Sequence, residues 1–471
     1  MSITNGRRRD PIEDPVRFID ERTATSVLLR AVMRYVFPDH WSFLLGEVAL
    51  YAFIVLIATG IYISLFYVPS TAQTIYHGPY KPLDGQTMSA AYRSVIYLSF
   101  QAKAGLLMRQ THHWAADVFI AAIVVHLMRV FFTGAFRKPR ELTWTIGLLL
   151  LFTSFLEGYM GYSLVDDLLS GIGLQIGYGV GLSVPIIGGP LMLLIFGAPF
   201  PGRNLFFSRM YIAHVFLVPL LLATLIGVHL ALVAARHHTQ FKESERTTNK
   251  RIVGAPLFPA QAPRSLALMF FTVGVLFLLG GLVQINPVWQ WGPFHEWASE
   301  NGAQPDWYLG WLIGALRLMP SVDVTIGHFT LFPNPVWGGV FFPGIVLMVL
   351  VAFPWVEARL TGDHGVHNLA QRPREAPNRT AFGVAFLAWV FLIFVFGAAD
   401  RVYVLVGLGY QTLLLIFHIA IWVVPIVLFF ITRMICRNLL ASDIAAAARE
   451  QAEHEAIEHA RALAGARSRP G

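Results

Sequence analysis

The chain has 471 residues, of which 55% are hydrophobic and 13% charged, about half the charged share of an ordinary soluble domain. That composition excludes a soluble globular protein and defines a polytopic membrane protein. The net charge of +7 is explained by cations flanking membrane spans, and no nucleic-acid partner is expected. The single cysteine, Cys436, excludes internal disulfides and a C-x-x-C-H haem attachment, so any haem must be held by side-chain coordination alone.

Residues 1–42 are polar and basic, with R-R-R at 7–9 and no apolar run that could act as a secretory signal. This end is expected to stay cytoplasmic and uncleaved. Apolar windows of about 20 residues predict spans near 43–67, 112–134, 142–164, 210–235, 265–285, 338–358, 381–399 and 408–433. A further apolar stretch at 182–200 is broken by Pro185, Gly188, Gly189, Pro190 and Pro199 and reads as a membrane-surface or re-entrant segment. With eight spans and both termini inside, 26 of the 35 Lys and Arg fall in inner segments, as the positive-inside rule requires. The predicted fold class is all-α integral membrane. A cytoplasmic segment (1–42) leads into a four-helix bundle of the first four spans (43–235). A C-terminal membrane domain (236–434) and a cytoplasmic helical tail (435–471) follow.

The first span carries Gly46 and Gly60, and the third carries Gly147 and Gly161, 14 residues apart in each case. Glycine inside a helix costs about 1 kcal/mol relative to alanine. Matched pairs point either to close helix packing or to something bulky pressed on both backbones at two depths. The second span, within R-Q-T-H-H-W-A-A-D-V-F-I-A-A-I-V-V-H-L-M-R (109–129), favours the bulky group. His112 and His126 are also 14 residues apart, roughly 21 Å of rise and about 40° of turn. His113 competes with His112, but the register and the offset from Arg109 favour His112.

The fourth span supplies His214 and His229, 15 residues apart. The second and fourth spans are entered from the same side and run parallel. His112 is therefore expected to meet His214 near the outer face, and His126 to meet His229 near the inner face. Two imidazole pairs suit two six-coordinate irons in flat macrocycles, with the glycines giving clearance. Arg109, Arg129 and Arg209 are candidate partners for haem propionates.

The loop after the third span begins G-Y-M-G-Y-S-L-V-D-D-L-L-S-G, and the outer loop after the fifth span contains P-D-W-Y-L-G-W-L at 305–312. Aromatic-rich segments of this kind either form an interfacial belt or roof an apolar pocket beside the outer pair. Asp306 and Tyr308 are the ionisable groups in the second segment.

These motifs together resemble the cytochrome b subunit of quinol:cytochrome c oxidoreductases, the cytochrome bc complexes. The resemblance rests on the two histidine pairs, the two glycine pairs, and Pro305, Asp306, Trp307 and Tyr308 standing where the family has Pro-Glu-Trp-Tyr. It covers about residues 35–434 and is nearest to the actinobacterial branch, through H-W-S-F-L-L-G-E (40–47), G-Y-S-L-V-D-D-L-L-S-G (161–171) and H-N-L-A-Q-R-P-R (367–374). Asp306 is one methylene shorter than the family glutamate, and Val165 stands where relatives commonly have proline.

The resemblance implies two b-type haems with bis-histidine ligation. Quinol, in that branch menaquinol, would be oxidised at an outer pocket lined by Tyr308, Asp306 and the segment at Asp166 and Asp167. Quinone would be reduced at an inner pocket, for which His40 is the first candidate and His237 and His238 follow. The implied partners are a Rieske iron-sulfur protein, a c-type cytochrome subunit, a second copy of the complex and an aa3-type cytochrome c oxidase in a supercomplex, within the lipid of a bacterial plasma membrane. Two rival readings are a dihaem membrane anchor of another quinone-linked dehydrogenase and a proton-coupled secondary transporter. The transporter reading predicts no haem and an internal repeat; no convincing repeat relates the two halves.

Overall fold

The structure is a computed structural model describing residues 13–202, 204–242, 246–250, 252–298 and 304–467; the basic run at 7–9 and the last four residues lie outside them. Among the described residues, eight helices are long and apolar enough to cross a membrane. They contain Trp41–Ser64, Gly105–Phe132, Glu141–Ser163, Leu205–Arg236, Leu257–Leu282, Trp337–Thr361, Pro377–Gly397 and Tyr410–Ala460, and they match the eight expected spans. The broken apolar stretch at 182–200 does not cross. It contains the end of helix Leu168–Leu182 and the short helix Gly188–Phe196, split at a turn holding Pro185, which cannot supply a helical N–H.

The second span begins at Gly105 rather than near 112. Arg109, Gln110 and Thr111 lower the average hydropathy, yet all three are buried. The helix start is set instead by Ala104 in the left-handed conformation, φ 57. The last helix runs unbroken from Tyr410 to Arg467, so the tail expected from 435 continues the eighth span.

The first and second spans pack together, as do the third and fourth, and the second also touches the third. The fifth span lies against both the first and the second, and Gly280 backs directly onto Thr111. The division near residue 235 is thus not a packing boundary. The seventh span packs on the eighth and on the short helix Gly310–Leu318. A core containing Phe131, Phe136, Trp144, Leu350 and Phe396 ties the second and third spans to the sixth and seventh.

One polar contact in that core compensates a backbone defect. Pro354 sits inside the sixth span and has no N–H to give the Leu350 carbonyl four residues earlier. Trp144 Nε1 donates to that carbonyl at 2.7 Å. At the inner end, buried Arg140 holds three loops together. It donates to His237 O at 3.0 Å, His367 O at 2.8 Å, Arg236 O at 2.9 Å and Asn368 Oδ1 at 2.9 Å. The outer loops carry two short antiparallel pairs, Gln73–Ile75 with Thr87–Ser89 and Val324–Ile326 with Phe329–Phe332.

Candidate functional site

The two histidine pairs form as the spacing predicts. The ring centres of His112 and His214 are 6.4 Å apart at 81°, and those of His126 and His229 are 6.5 Å apart at 72°. The unequal spacings of 14 and 15 are reconciled by a π-helical turn at Ala213–Leu217. Pro219 cannot donate to the carbonyl of Val215, so the helix widens there and takes up one extra residue. His214 and His229 thereby face the same neighbour despite the added residue.

The four glycines lie against the four imidazoles. A methyl group at Gly60 would stand 3.3 Å from His112 Cε1, and one at Gly46 would stand 3.3 Å from His126 Cε1. The corresponding distances are 2.6 Å from Gly161 to His214 Cε1 and 3.7 Å from Gly147 to His229 Cε1. One glycine from each of the first and third spans therefore flanks each pair.

The hydrogen bonds of His112 fix its tautomer. Its Nδ1 is 2.9 Å from Thr59 Oγ1, whose own hydroxyl donates to Val55 O at 2.7 Å. With the threonine hydrogen committed, Nδ1 must carry the proton, and Nε2 keeps its lone pair. His214 Nδ1 lies 3.0 Å from Glu157 Oε1, an ion-pair distance without hydrogen-bond geometry. His126 Nδ1 is buried without a hydrogen-bond partner.

A cavity of about 370 Å³ surrounds the outer pair and is lined by Arg109, His113, Glu157, Val165, Asp306 and Tyr308 among others. Asp306 is held by both carboxylate oxygens. His113 Nε2 is 2.8 Å from Oδ1, and the Tyr308 hydroxyl donates to Oδ2 at 3.2 Å. Burial and the nearby Asp306 charge push the Tyr308 phenol well above its usual pKa. Asp117, from the second span, completes a group in which one nitrogen and two carboxylates lie within 4.8 Å of one another. That is close enough to share a proton or a cation.

Three expected residues do not join this cavity. Asp167 caps helix Leu168–Leu182, accepting from Ser170 N at 2.8 Å. Burial raises its carboxyl to about 6, against the lowering pull of Ser170. Asp166 adopts φ 60 and bonds to the Ser89 side chain; burial raises it to about 7. The neighbouring Leu164 and Val165 line the cavity instead. Arg209 donates to Leu194 O at 2.8 Å and is absent from the cavity lining; the short helix Gly188–Phe196 draws it aside.

Arg109 does reach the outer cavity. It is 8% exposed, donates to Asn286 O at 3.2 Å, and leaves Nε and Nη2 unpartnered. Around the inner pair a cavity of about 780 Å³ is lined by Arg129, His40, His237, His238 and Glu47, among others. Arg129 lies 4.0 Å over the Phe43 ring with Nη2 unpartnered. His40 is tied by Nδ1 to Ser42 Oγ at 2.8 Å.

Sequence reasoning gave no role to Thr59, Glu157, Asp117 or Glu47. The three acids carried a legible signal, since an ionisable side chain within an apolar span marks a functional position. Thr59 carried none.

Fold and site together define an eight-span helical membrane protein built around two stacked pairs of facing imidazoles, the class of transmembrane electron carriers. The family profile described as cytochrome b(N-terminal)/b6/petB matches residues 117–293. The cytochrome bc1 complex cytochrome b subunit of Streptomyces coelicolor is 44% identical over 424 residues, covering 90% of this chain and 77% of the relative. That of Corynebacterium efficiens is 43% identical over 436 residues, covering 93% and 79%. That of Mycobacterium tuberculosis is 45% identical over 426 residues, covering 90% and 77%. Among solved structures, a chain of a hyperthermophilic respiratory Complex III shares the fold, with a TM-score of 0.63 at 22% identity over 89% of this chain and 99% of that one.

The chain belongs to the cytochrome b subunits of cytochrome bc1 complexes. That membership sets aside the dehydrogenase anchor and the secondary transporter.

Proposed function

We propose that the chain is the quinol-oxidising, quinone-reducing subunit of a quinol:cytochrome c oxidoreductase and that it holds two b-type haems, one on His112 and His214 and the other on His126 and His229. The facing histidine pairs at two depths carry this reading. Two imidazoles on opposite sides of one metal, each bound at about 2 Å, have ring centres roughly 6 Å apart; the pairs lie at 6.4 and 6.5 Å. The glycine-lined walls leave room for a flat ring, and the unpartnered guanidinium nitrogens of Arg109 and Arg129 suit the carboxylates of a propionate-bearing macrocycle.

Bound haem supplies one-electron redox chemistry; the chain's own residues orient ligands and move protons. The hydroxyl of Thr59 fixes the ring orientation of His112, as outer partners of metal-binding histidines do, and the carboxylate of Glu157 stands beside His214. In the outer cavity Asp306 accepts a proton from quinol, positioned by His113 and Tyr308. The shorter aspartate still reaches the cavity wall. In the inner cavity quinone takes up protons from the cytoplasmic side.

Menaquinol is the proposed quinol, by likeness to the actinobacterial branch. The proposed partners are a Rieske iron-sulfur protein, a c-type cytochrome subunit, a second copy of the complex and an aa3-type oxidase. Both termini are proposed to lie in the cytoplasm, a reading supported by the 26 of 35 cationic residues on inner segments. A reduced-minus-oxidised spectrum of the purified protein tests the core of the reading. Two b-type haems of different potential are expected, and a colourless preparation would sink it.

A further inference from the structure

The inner cavity is lined by an acid from the first span, Glu47. Glu47 lies on the first span, one residue beyond Gly46, whose backbone faces His126. It therefore stands at the depth of the inner histidine pair and lines the same cavity. Among the described lining residues the other carboxylate is Asp39, which is 66% exposed and paired with Arg264 at 2.8 Å. Glu47 is the carboxylate set within the membrane span. An ionisable group at such a position is costly unless it is used.

Its two oxygens are held by hydroxyls from two helices. Tyr51 OH donates to Oε2 at 3.1 Å, and Ser265 Oγ donates to Oε1 at 3.0 Å. Ser265 is itself 3.2 Å from Gln261 Nε2, and both line the cavity beside Arg264 at its polar end. A carboxyl group fixed in this way is poised, when protonated, to lose its proton inward and regain one from the mouth.

We propose that Glu47 is the acid that protonates quinone in the inner cavity. This rests on the reading of that cavity as a quinone-reducing site. Conversion of quinone to quinol takes two electrons, delivered from quinol oxidised in the outer cavity, and two protons. Glu47 supplies one of them. Its O–H bond breaks as a new O–H bond forms on a quinone oxygen, and the resulting carboxylate is stabilised by the hydroxyls of Tyr51 and Ser265 until water at the cavity mouth returns a proton. The second proton reaches the other quinone oxygen directly from the cytoplasmic solvent.

The test uses the purified complex with its haems reduced and excess reductant removed, mixed anaerobically with 2-methyl-1,4-naphthoquinone while haem reoxidation is followed by stopped-flow absorbance. Glu47→Gln keeps the shape but removes the acid, and one of the two hydroxyls must turn to accept from the new amide. With haem content unchanged by spectrum, its limiting rate should fall about 100-fold, the lower end of what a positioned general acid contributes. The half-saturating naphthoquinone concentration should stay near that of the parent, and Glu47→Asp should recover part of the rate. Reoxidation of Glu47→Gln at the parental rate, or a loss seen only as weaker naphthoquinone binding, overturns the proposal. If Glu47→Gln does not retain its haems, Glu47→Asp decides: slowed reoxidation at full haem content supports the role, and an unchanged rate overturns it. A parent complex that naphthoquinone cannot reoxidise removes the quinone-reducing reading, and this proposal with it.

Discussion

His113 Nε2 lies 2.8 Å from Asp306 Oδ1, joining the second span to the outer loop 193 positions later. The histidine beside His112 is therefore turned away from the pair, about 100° around the helix, and holds the loop acid instead. Asp306→Asn should slow quinol oxidation by about 100-fold, as expected for loss of a proton acceptor, while both haem bands persist. A parental rate in that variant would take Asp306 out of the proton path.

The histidine pairs make separable predictions. His126→Ala should lose the inner haem and retain the outer one, visible as one remaining b-type band. A protein that keeps both bands would show the pairing to be wrong.

The glycines differ in how much room they leave. A methyl at Gly161 would press to 2.6 Å from His214 Cε1, whereas one at Gly147 would rest at 3.7 Å from His229 Cε1, an ordinary contact. Gly161→Ala should disturb the outer haem spectrum, and Gly147→Ala should leave the inner one near normal. Equal behaviour of the two variants would refute the clearance argument.

Trp144 and Pro354 form a testable pair. Trp144→Phe leaves the buried Leu350 carbonyl without a donor, a loss of about 1–3 kcal/mol measurable as a lower thermal midpoint in detergent. Pro354→Ala restores an intrahelical donor, so Trp144→Phe should cost less in that background. Additive effects of the two substitutions would argue against the compensation.

Asp166 gives a pH prediction. Burial raises its carboxyl from 3.8 to about 7, so the folded chain holds this proton more tightly than the unfolded chain. Its stabilising contribution is full below about pH 4 and is lost as pH rises through about 7. Asn tolerates the left-handed backbone at φ 60 and cannot ionise. Moving from pH 5 to pH 8 should therefore lower the thermal midpoint of the parent more than that of Asp166→Asn. The same pH dependence in both would exclude Asp166 as its source.

The sequence by itself determined the eight spans, the exclusion of the broken stretch at 182–200, and the pairing of His112 with His214 and His126 with His229. Span length, helical repeat and cation asymmetry are local properties that one chain carries in one dimension. The approach of four glycines to four imidazoles was legible for the same reason, through the shared spacing of 14. Other contacts were decided by tertiary structure. Asp166 and Asp167 were expected in the outer cavity, but a helix cap and a left-handed residue direct them elsewhere. Arg209 was expected beside the outer pair, but nearby carbonyls hold it. The partnership of His113 with Asp306, the role of Thr59 in fixing the His112 tautomer, and the donation from Trp144 to the carbonyl freed by Pro354 all join residues far apart in sequence. Periodicity fixes which face of a helix a side chain leaves from; what it meets there depends on how the other helices pack.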